Sequence, residues 1–167
     1  NSTDGDDYSR LGAAIAENTH LTSLVVVLRD TVALDVTNDR FYDGLKLNSS
    51  IQALTFHCGN SNIAGGVGQK ILEAYQENNN LTELRINDAD LQNGGDEVIA
   101  ETLRSCTHLH HIDLCGCSIT DEQLLPMVDA IRGHRSLEEL RLYGNRIGNT
   151  GCETLTTLLR NQNSNLQ

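Results

Sequence analysis

The aliphatic residues of this chain recur in a fixed opening of the form L-x-x-L-x-L. It appears at Leu21-Leu24-Val26, Ile51-Leu54-Phe56, Leu81-Leu84-Ile86, Leu109-Ile112-Leu114 and Leu137-Leu140-Leu142. The last two aliphatics of each opening are two residues apart, which predicts a short strand with both on one face. Beyond each opening the apolar spacing widens to three or four residues, as at Tyr8, Leu11 and Ile15, Phe41 and Leu45, Ile71 and Tyr75, or Leu155 and Leu159. That spacing predicts a helix. The openings follow one another at steps of 30, 30, 28 and 28 residues, and a sixth begins at Leu166, 29 residues after Leu137. A strand and a helix of this size cannot bury their apolar faces alone, so the units must stack as a solenoid with parallel strands.

The stretch Leu137-Glu-Glu-Leu140-Arg-Leu142-Tyr-Gly-Asn145-Arg-Ile147-Gly carries every offset at once, and the chain as a whole resembles the leucine-rich repeat. The 28-residue length and helical second half look like the ribonuclease-inhibitor-like subclass. The resemblance implies an α/β horseshoe, with about five parallel strands on the concave face, five or six helices on the convex face and right-handed crossovers. It also implies that Cys117 fills the inward loop position held by Asn145 in the next repeat, where that subclass alternates Asn and Cys. Residues 1–167 read as a single repeat domain with partial repeats at both ends. Tyr8 to Asn18 supply a helix whose strand is missing, and Leu166 opens a strand. An excised piece, or a short protein whose last strand is an open edge, is the expectation.

Finer features carry their own expectations. Asn18, Asn48, Asn78, Cys106, His134 and Asn163 lie three residues before the openings. Asparagine there suits a helix ending in the left-handed conformation. Gly95 and Gly151 share the offset at which the loop turns into a helix, and Asp96 and Glu97 place favourable charge in a first turn. Thr120 and Gln123 have capping-box spacing, while Pro126 predicts a helix that starts late or kinks. The first two repeats carry two extra residues after the strand. From Arg29 to Asn38, Val32, Ala33 and Leu34 compete for the inward position, and a short helix is expected near Asp39 to Leu47.

Composition narrows the function. No apolar run is long enough for a membrane span, so membrane insertion is not expected. The formal net charge of −11 argues against a nucleic-acid partner, whose phosphates require clustered cations, and favours a basic or polar protein. Five scattered cysteines fit reduced thiols in a cytoplasmic protein. Glycosylation sequons at Asn1, Asn48 and Asn80 point instead to an extracellular one.

Candidate chemistry mostly dissolves on inspection. The run from Gly59 to Lys70 has the flavour of a phosphate loop, but Gln69 separates Gly68 from Lys70, and Ile71 stands where Ser or Thr is needed. Cys115 and Cys117, with His57, His108, His111 and His134, suggest zinc, but repeat geometry separates them. The trio Cys106, His134 and His108 falls short of a closed four-ligand site. No metal or cofactor is expected. Glu138 and Glu139 alternate sides of a strand, and no nucleophile has a base and an orienting acid at recognisable spacing, so an enzyme is not expected.

The concave face is the remaining candidate. The second, fourth and sixth residues after each opening point outward in three rows: Ser23, Ala53, Glu83, His111, Glu139; Val25, Thr55, Arg85, Asp113, Arg141; and Val27, His57, Asn87, Cys115, Tyr143. Arg85, Asp113 and Arg141 should form an alternating charge ladder across strands. It can be read as mutual neutralisation on a solvated sheet or as a binding surface, and the two are compatible. The candidate partner-binding residues are Glu83, Arg85, Asn87, His111, Asp113, Cys115, Glu139, Arg141 and Tyr143. Val25, Val27, Ala53 and Thr55 form a candidate apolar docking patch. The expected function is a protein-interaction module or scaffold, with Arg85, Asp113, Arg141 and Tyr143 as anchors. The alternatives are a regulator of the cytoskeleton or small GTPases, resembling tropomodulin or Ran GTPase-activating proteins, and a structural subunit of a larger assembly.

Overall fold

Each opening forms a strand, and each strand leads to a helix. The computed structural model describes residues 4–28, 37–59, 66–76, 78, 80–92, 94–160 and 166. The elements in chain order are α1 (Asp4–Glu17), β1 (Ser23–Val27), α2 (Asp39–Leu47), β2 (Ala53–His57), α3 (Val67–Tyr75), β3 (Glu83–Asn87), α4 (Gly95–Ser105), β4 (His111–Asp113), α5 (Asp121–Gly133), β5 (Glu139–Arg141) and α6 (Asn149–Leu159). The strands make one parallel sheet in the order β1-β2-β3-β4-β5. Strands pack on the next strand and helices on the next helix, which is the nearest-neighbour connectivity of a solenoid. Among the described residues, no helix is long and apolar enough to cross a membrane.

The core lies between sheet and helices. Leu54, Phe56, Leu84, Ile86, Leu109 and Leu114 are fully buried against Phe41, Leu45, Ile71, Leu72, Leu103, Leu124 and Met127. In the first and last strands the equivalent residues, Leu24 and Val26 or Leu140 and Leu142, are only partly covered. Among the described residues these strands have a strand neighbour on one side only, so full enclosure belongs to the central strands.

The residues before the openings do not work as expected. Asn48, Cys106 and His134 have φ of −73°, −83° and −84°, well away from the left-handed region. They form a polar ladder instead. Asn48 Nδ2 donates to the carbonyls of Ile15 and Asn18 at 2.7 Å, and its Oδ1 accepts from the Ile51 N–H at 2.9 Å. Asn78 Nδ2 donates to the Asn48 carbonyl at 2.8 Å, and the Cys106 thiol donates to the Tyr75 and Asn78 carbonyls at 3.1 and 3.5 Å. His134 Nδ1 accepts from the Leu137 N–H at 3.1 Å, so Nε2 carries the proton and donates to the Cys106 carbonyl at 3.0 Å. Asn48, Asn78 and His134 thus cap their own repeats and stitch them to the previous ones, while Cys106 only stitches, and together they satisfy buried backbone groups. The Asn48 amide is consumed inside the fold, so this sequon cannot be modified in the folded protein.

A second ladder runs through the loops after the strands. Asn145 Nδ2 donates to Leu114 O at 2.8 Å, and the Cys117 thiol donates to the equivalent Ile86 O at 3.0 Å. Cys117 therefore substitutes for Asn145 as a donor.

Helix starts follow the sequence with two corrections. The helix begins 18 and 16 residues after the opening in the first two repeats, against 14, 12 and 12 later, so the extra length does lie before the helix. Residues 29–36, with the competing Val32, Ala33 and Leu34, and Asn163 lie outside the described residues. Helix α5 starts at Asp121, directly after the Thr120–Gln123 capping box, so Pro126 does not delay it. The box fixes the start, and the bond lost at Pro126 falls on the carbonyl of exposed Glu122, which water can reach. Gly95 and Gly151 lie inside the first turns rather than in the approaching loop; a Cβ on Gly95 would lie 2.9 Å from the Leu91 side chain. The closest approach of all is between α1 and α2, where Gly12 and Gly44 bring the two helix backbones into direct contact.

Candidate protein-binding face

The register carries the three outward rows across the sheet without a slip. Ser23 pairs with Ala53, Glu83, His111 and Glu139 in turn, and Val25 with Thr55, Arg85, Asp113 and Arg141. The third row runs Val27, His57, Asn87 within the strands. Backbone bonds from Asp88 N–H to Cys115 O and from Gly116 N–H to Tyr143 O, both 2.9 Å, continue it. Just past this row the chain turns sharply at Asp88, Gly116 and Gly144, with φ of 57°, 70° and 72°. The repeated left-handed turn fixes the direction in which Cys115 and Tyr143 leave the sheet.

The shortest charge pairs run along strands, and of the expected cross-strand ladder the Arg141–Asp113 step is present as a longer contact. Arg85 Nη1 pairs with Glu83 on its own strand. Arg141 Nε donates to Glu139 Oε1 at 2.8 Å, while its Nη1 is 4.0 Å from Asp113 Oδ2. Asp113 is held elsewhere, accepting from Asn87 Nδ2 at 2.8 Å and from the Cys115 N–H at 3.1 Å, and its side chain is only 13% exposed. The reason is reach. Residues two apart on one face of a strand are about 7 Å apart, a gap Arg and Glu close together, whereas the short Asp stays low against the sheet. The hydrogen bond that Arg141 donates to Glu139 raises the Arg141 pKa. Burial and the neighbouring Asp113 raise that of Cys115, keeping it a neutral thiol. His111 Nε2 lies 4.0 Å from Glu139 Oε2.

The apolar patch shrinks. Val25 and Val27 are 60% and 57% exposed, and Ala53 is half-buried, but Thr55 is only 9% exposed. Thr55 sits in register between Val25 and Arg85. His57, which the candidate set omitted, is exposed beside Val27; its place in the third row was the signal.

Cys106 and His134, from the trio that fell short of a zinc site, are both engaged in the polar ladder. Both ring nitrogens of His134 are engaged, burial lowers its pKa, and burial pushes the Cys106 thiol up to about 11. Of the phosphate-loop run, residues 60–65 lie outside the described residues. Gly68 serves packing, since a Cβ there would lie 2.9 Å from Ala89 and Leu91 side-chain atoms.

A family model described as "Leucine Rich repeat" matches residues 105–122 and 133–156. These two stretches of the chain are leucine-rich repeats. The chain is 25% identical over 157 residues to the human protein "NACHT, LRR and PYD domains-containing protein 13", a match covering 89% of the chain and 15% of that relative's length. Among solved structures it is similar to "Leiomodin-1 Actin-Binding Site 2 (ABS2)", with 17% identity and a TM-score of 0.47 over 99% of this chain and 79% of that one.

Proposed function

We propose that this protein is an interaction module that takes a partner protein on its concave sheet face, anchored by Arg141 and Tyr143. The observation that carries this is the state of those two side chains. Tyr143 is 88% exposed in the turn that follows β5, and Arg141 two residues before it is already oriented by Glu139. Tyrosine and arginine dominate binding hot spots, and an ordered arginine loses less entropy on recruitment. Glu83, Arg85, Asn87, His111, Asp113 and Cys115 surround the anchors with polar complementarity, and Val25 and Val27 offer an apolar second contact. The face suits recognition rather than catalysis, because its thiol is neutral and its acids are tied to arginines or amides. The ribonuclease-inhibitor-like subclass, supported by the 28-residue steps and the Asn145–Cys117 substitution, belongs to the same reading. So does an intracellular setting, supported by five cysteines that are all free. Regulation of the cytoskeleton or of small GTPases falls within it as a particular choice of partner.

The test is affinity for a protein captured from lysate by the wild-type chain. Arg141→Ala and Tyr143→Ala should each weaken binding by more than about 1 kcal/mol while leaving the unfolding midpoint in place. Unchanged affinity in both variants would move the site off this face.

A further inference from the structure

The two ring nitrogens of His134 serve two different joints of the solenoid. Nε2 donates to the Cys106 carbonyl of the preceding repeat at 3.0 Å, and Nδ1 accepts from the Leu137 N–H that opens the following one at 3.1 Å. A proton affects these bonds unequally, because an imidazolium carries a hydrogen on both nitrogens. It still donates to the Cys106 carbonyl, but its Nδ1–H then faces the Leu137 N–H, donor against donor. A charged His134 is therefore compatible with the joint behind it and incompatible with the joint ahead.

The repeat ahead, β5 and α6, is lightly held. Leu140, Leu142, Ile147 and Leu155 are only partly buried, and its enclosed aliphatic residues are Leu137 and Leu158. Helix α6 has no side-chain cap, no acid in its first turn and no base in its last, and the hydroxyls of Thr154, Thr156 and Thr157 bond back to its own carbonyls. Such a helix draws little stability from its own ends or propensities. Asn145 Oδ1 accepts from the Ile119 N–H at 2.9 Å and Asp121 Oδ1 from the Gly148 N–H at 2.7 Å, adding two more ties to the preceding repeat. Of these tying side chains, only the imidazole belongs to the type that titrates between pH 5 and 8.

The groups around the ring set how it responds. Burial opposes its charge most, the Cys106 carbonyl favours it and His110 opposes it. Arg104, His108 and Arg135 line the space beside it; Arg104 is paired with Glu101 at 3.4 Å, and burial keeps Cys106 a neutral thiol. Between β4 and β5, a protonated His111 would hold Glu139 more strongly in acid, but at 4.0 Å and with both side chains partly exposed the pair is screened by water.

We propose that protonation of His134 in mild acid releases the repeat of β5 and α6 from the solenoid while the repeats before it stay folded, withdrawing Arg141 and Tyr143 from the concave face. That this switches off binding rests on the reading of those two residues as anchors; the release itself does not.

Hydrogen exchange of the whole chain at pH 7.5 and pH 5.0, with each amide corrected for its intrinsic rate, reads the opening. Once released, the ring titrates near its ordinary value of about 6.5, so the open form gains at most about thirtyfold between the two pH values. The Leu114 and Gly116 amides report on the anchors, since they donate to the Arg141 and Tyr143 carbonyls at 3.0 and 2.9 Å. These amides and those of α6 should lose protection by about tenfold or more, and those of α1, at the other end of the sheet, by less than about twofold. His134→Asn should remove the loss, because an amide makes both bonds without titrating, as Asn48 does toward Asn18 and Ile51. Unchanged protection in α6, an equal loss in α1, or a loss that persists in His134→Asn would overturn the proposal. So would loosening of α6 with Leu114 and Gly116 still protected, which would leave the anchors in place. The wild-type comparison of α6 with α1 stands without the variant. Failure of the anchor reading shows separately, as binding unchanged by Arg141→Ala at pH 7.5, a measurement that exchange does not use.

Discussion

Replacing His134 by alanine and by asparagine separates the polar ladder from ordinary packing. The imidazole satisfies two buried backbone groups, the Cys106 carbonyl at 3.0 Å and the Leu137 N–H at 3.1 Å. Alanine leaves both unpaired. At roughly 1–3 kcal/mol for each orphaned buried group, the expected loss is about 2–6 kcal/mol. Asparagine can make the same pair of bonds, as Asn48 does toward Asn18 and Ile51 at 2.7 and 2.9 Å, so its cost should stay below about 1 kcal/mol. Urea unfolding followed by far-ultraviolet circular dichroism, at constant m-value, measures both. pH supplies a second signature. Burial lowers the folded-state pKa of His134, so the unfolded chain takes up the proton first as pH falls. The stability contributed by neutral His134 is therefore complete above the unfolded pKa of about 6.5 and declines below it, levelling off once the folded pKa is passed. The asparagine variant should lack this component, so its stability relative to wild type should improve between pH 7.5 and pH 5. If the alanine and asparagine variants unfold within about 0.5 kcal/mol of each other, the ladder carries no appreciable energy and the account given for it is wrong.

Two further substitutions test the packing. Leu84→Ala, in a fully buried central strand, should cost about 2–5 kcal/mol, and Leu140→Ala, at a half-covered terminal coil, roughly half as much; equal losses in urea would contradict the nearest-neighbour picture. Gly44→Ala should destabilise by about 1–3 kcal/mol because its Cβ would strike the Gly12 carbonyl, although helix propensity alone favours alanine by about 1 kcal/mol; a raised melting temperature would show that α1 and α2 have room to spare.

The register and the rows were legible because they depend only on periodicity. Once Leu54, Leu84 and Ile112 share the interior, the direction of Arg85 and Asp113 follows. What the rows cannot say is how far a side chain reaches after it leaves the sheet, and Arg85 illustrates this by turning to Glu83 rather than to Asp113. The polar positions before the openings were visible as a pattern but misassigned. An Asn at a helix end fits a left-handed cap as well as a cross-repeat donor, and only the place of Cys106 and His134 in the same series distinguishes them. Neither residue favours a left-handed cap, yet both can donate. The glycine contact between α1 and α2 left no periodic trace, since Gly12 and Gly44 meet only after both helices are placed.

Tying each arginine to its own strand changes what a partner would gain on the concave face. Arg141 is exposed and already satisfied by Glu139, so a new carboxylate must share it with an existing one in high dielectric, and salt screens what remains. Electrostatics at this surface therefore govern orientation and encounter rate more than residence time. Beyond the share Arg141 contributes as an ordered anchor, affinity has to come from apolar area, and the exposed ring of Tyr143 is a large single reserve. Covering about 150 Å² of it at about 25 cal/mol per Å² contributes roughly 4 kcal/mol before ordering costs. Val25 and Val27 can add a comparable share, but they lie four strands away, beyond the span of a single anchored side chain. A partner that uses both ends must lay an extended surface across the sheet, crossing Asn87 and the partly buried Asp113 on the way. Tyr143→Ala should consequently accelerate dissociation while leaving association nearly unchanged, and Glu139→Gln should do the reverse.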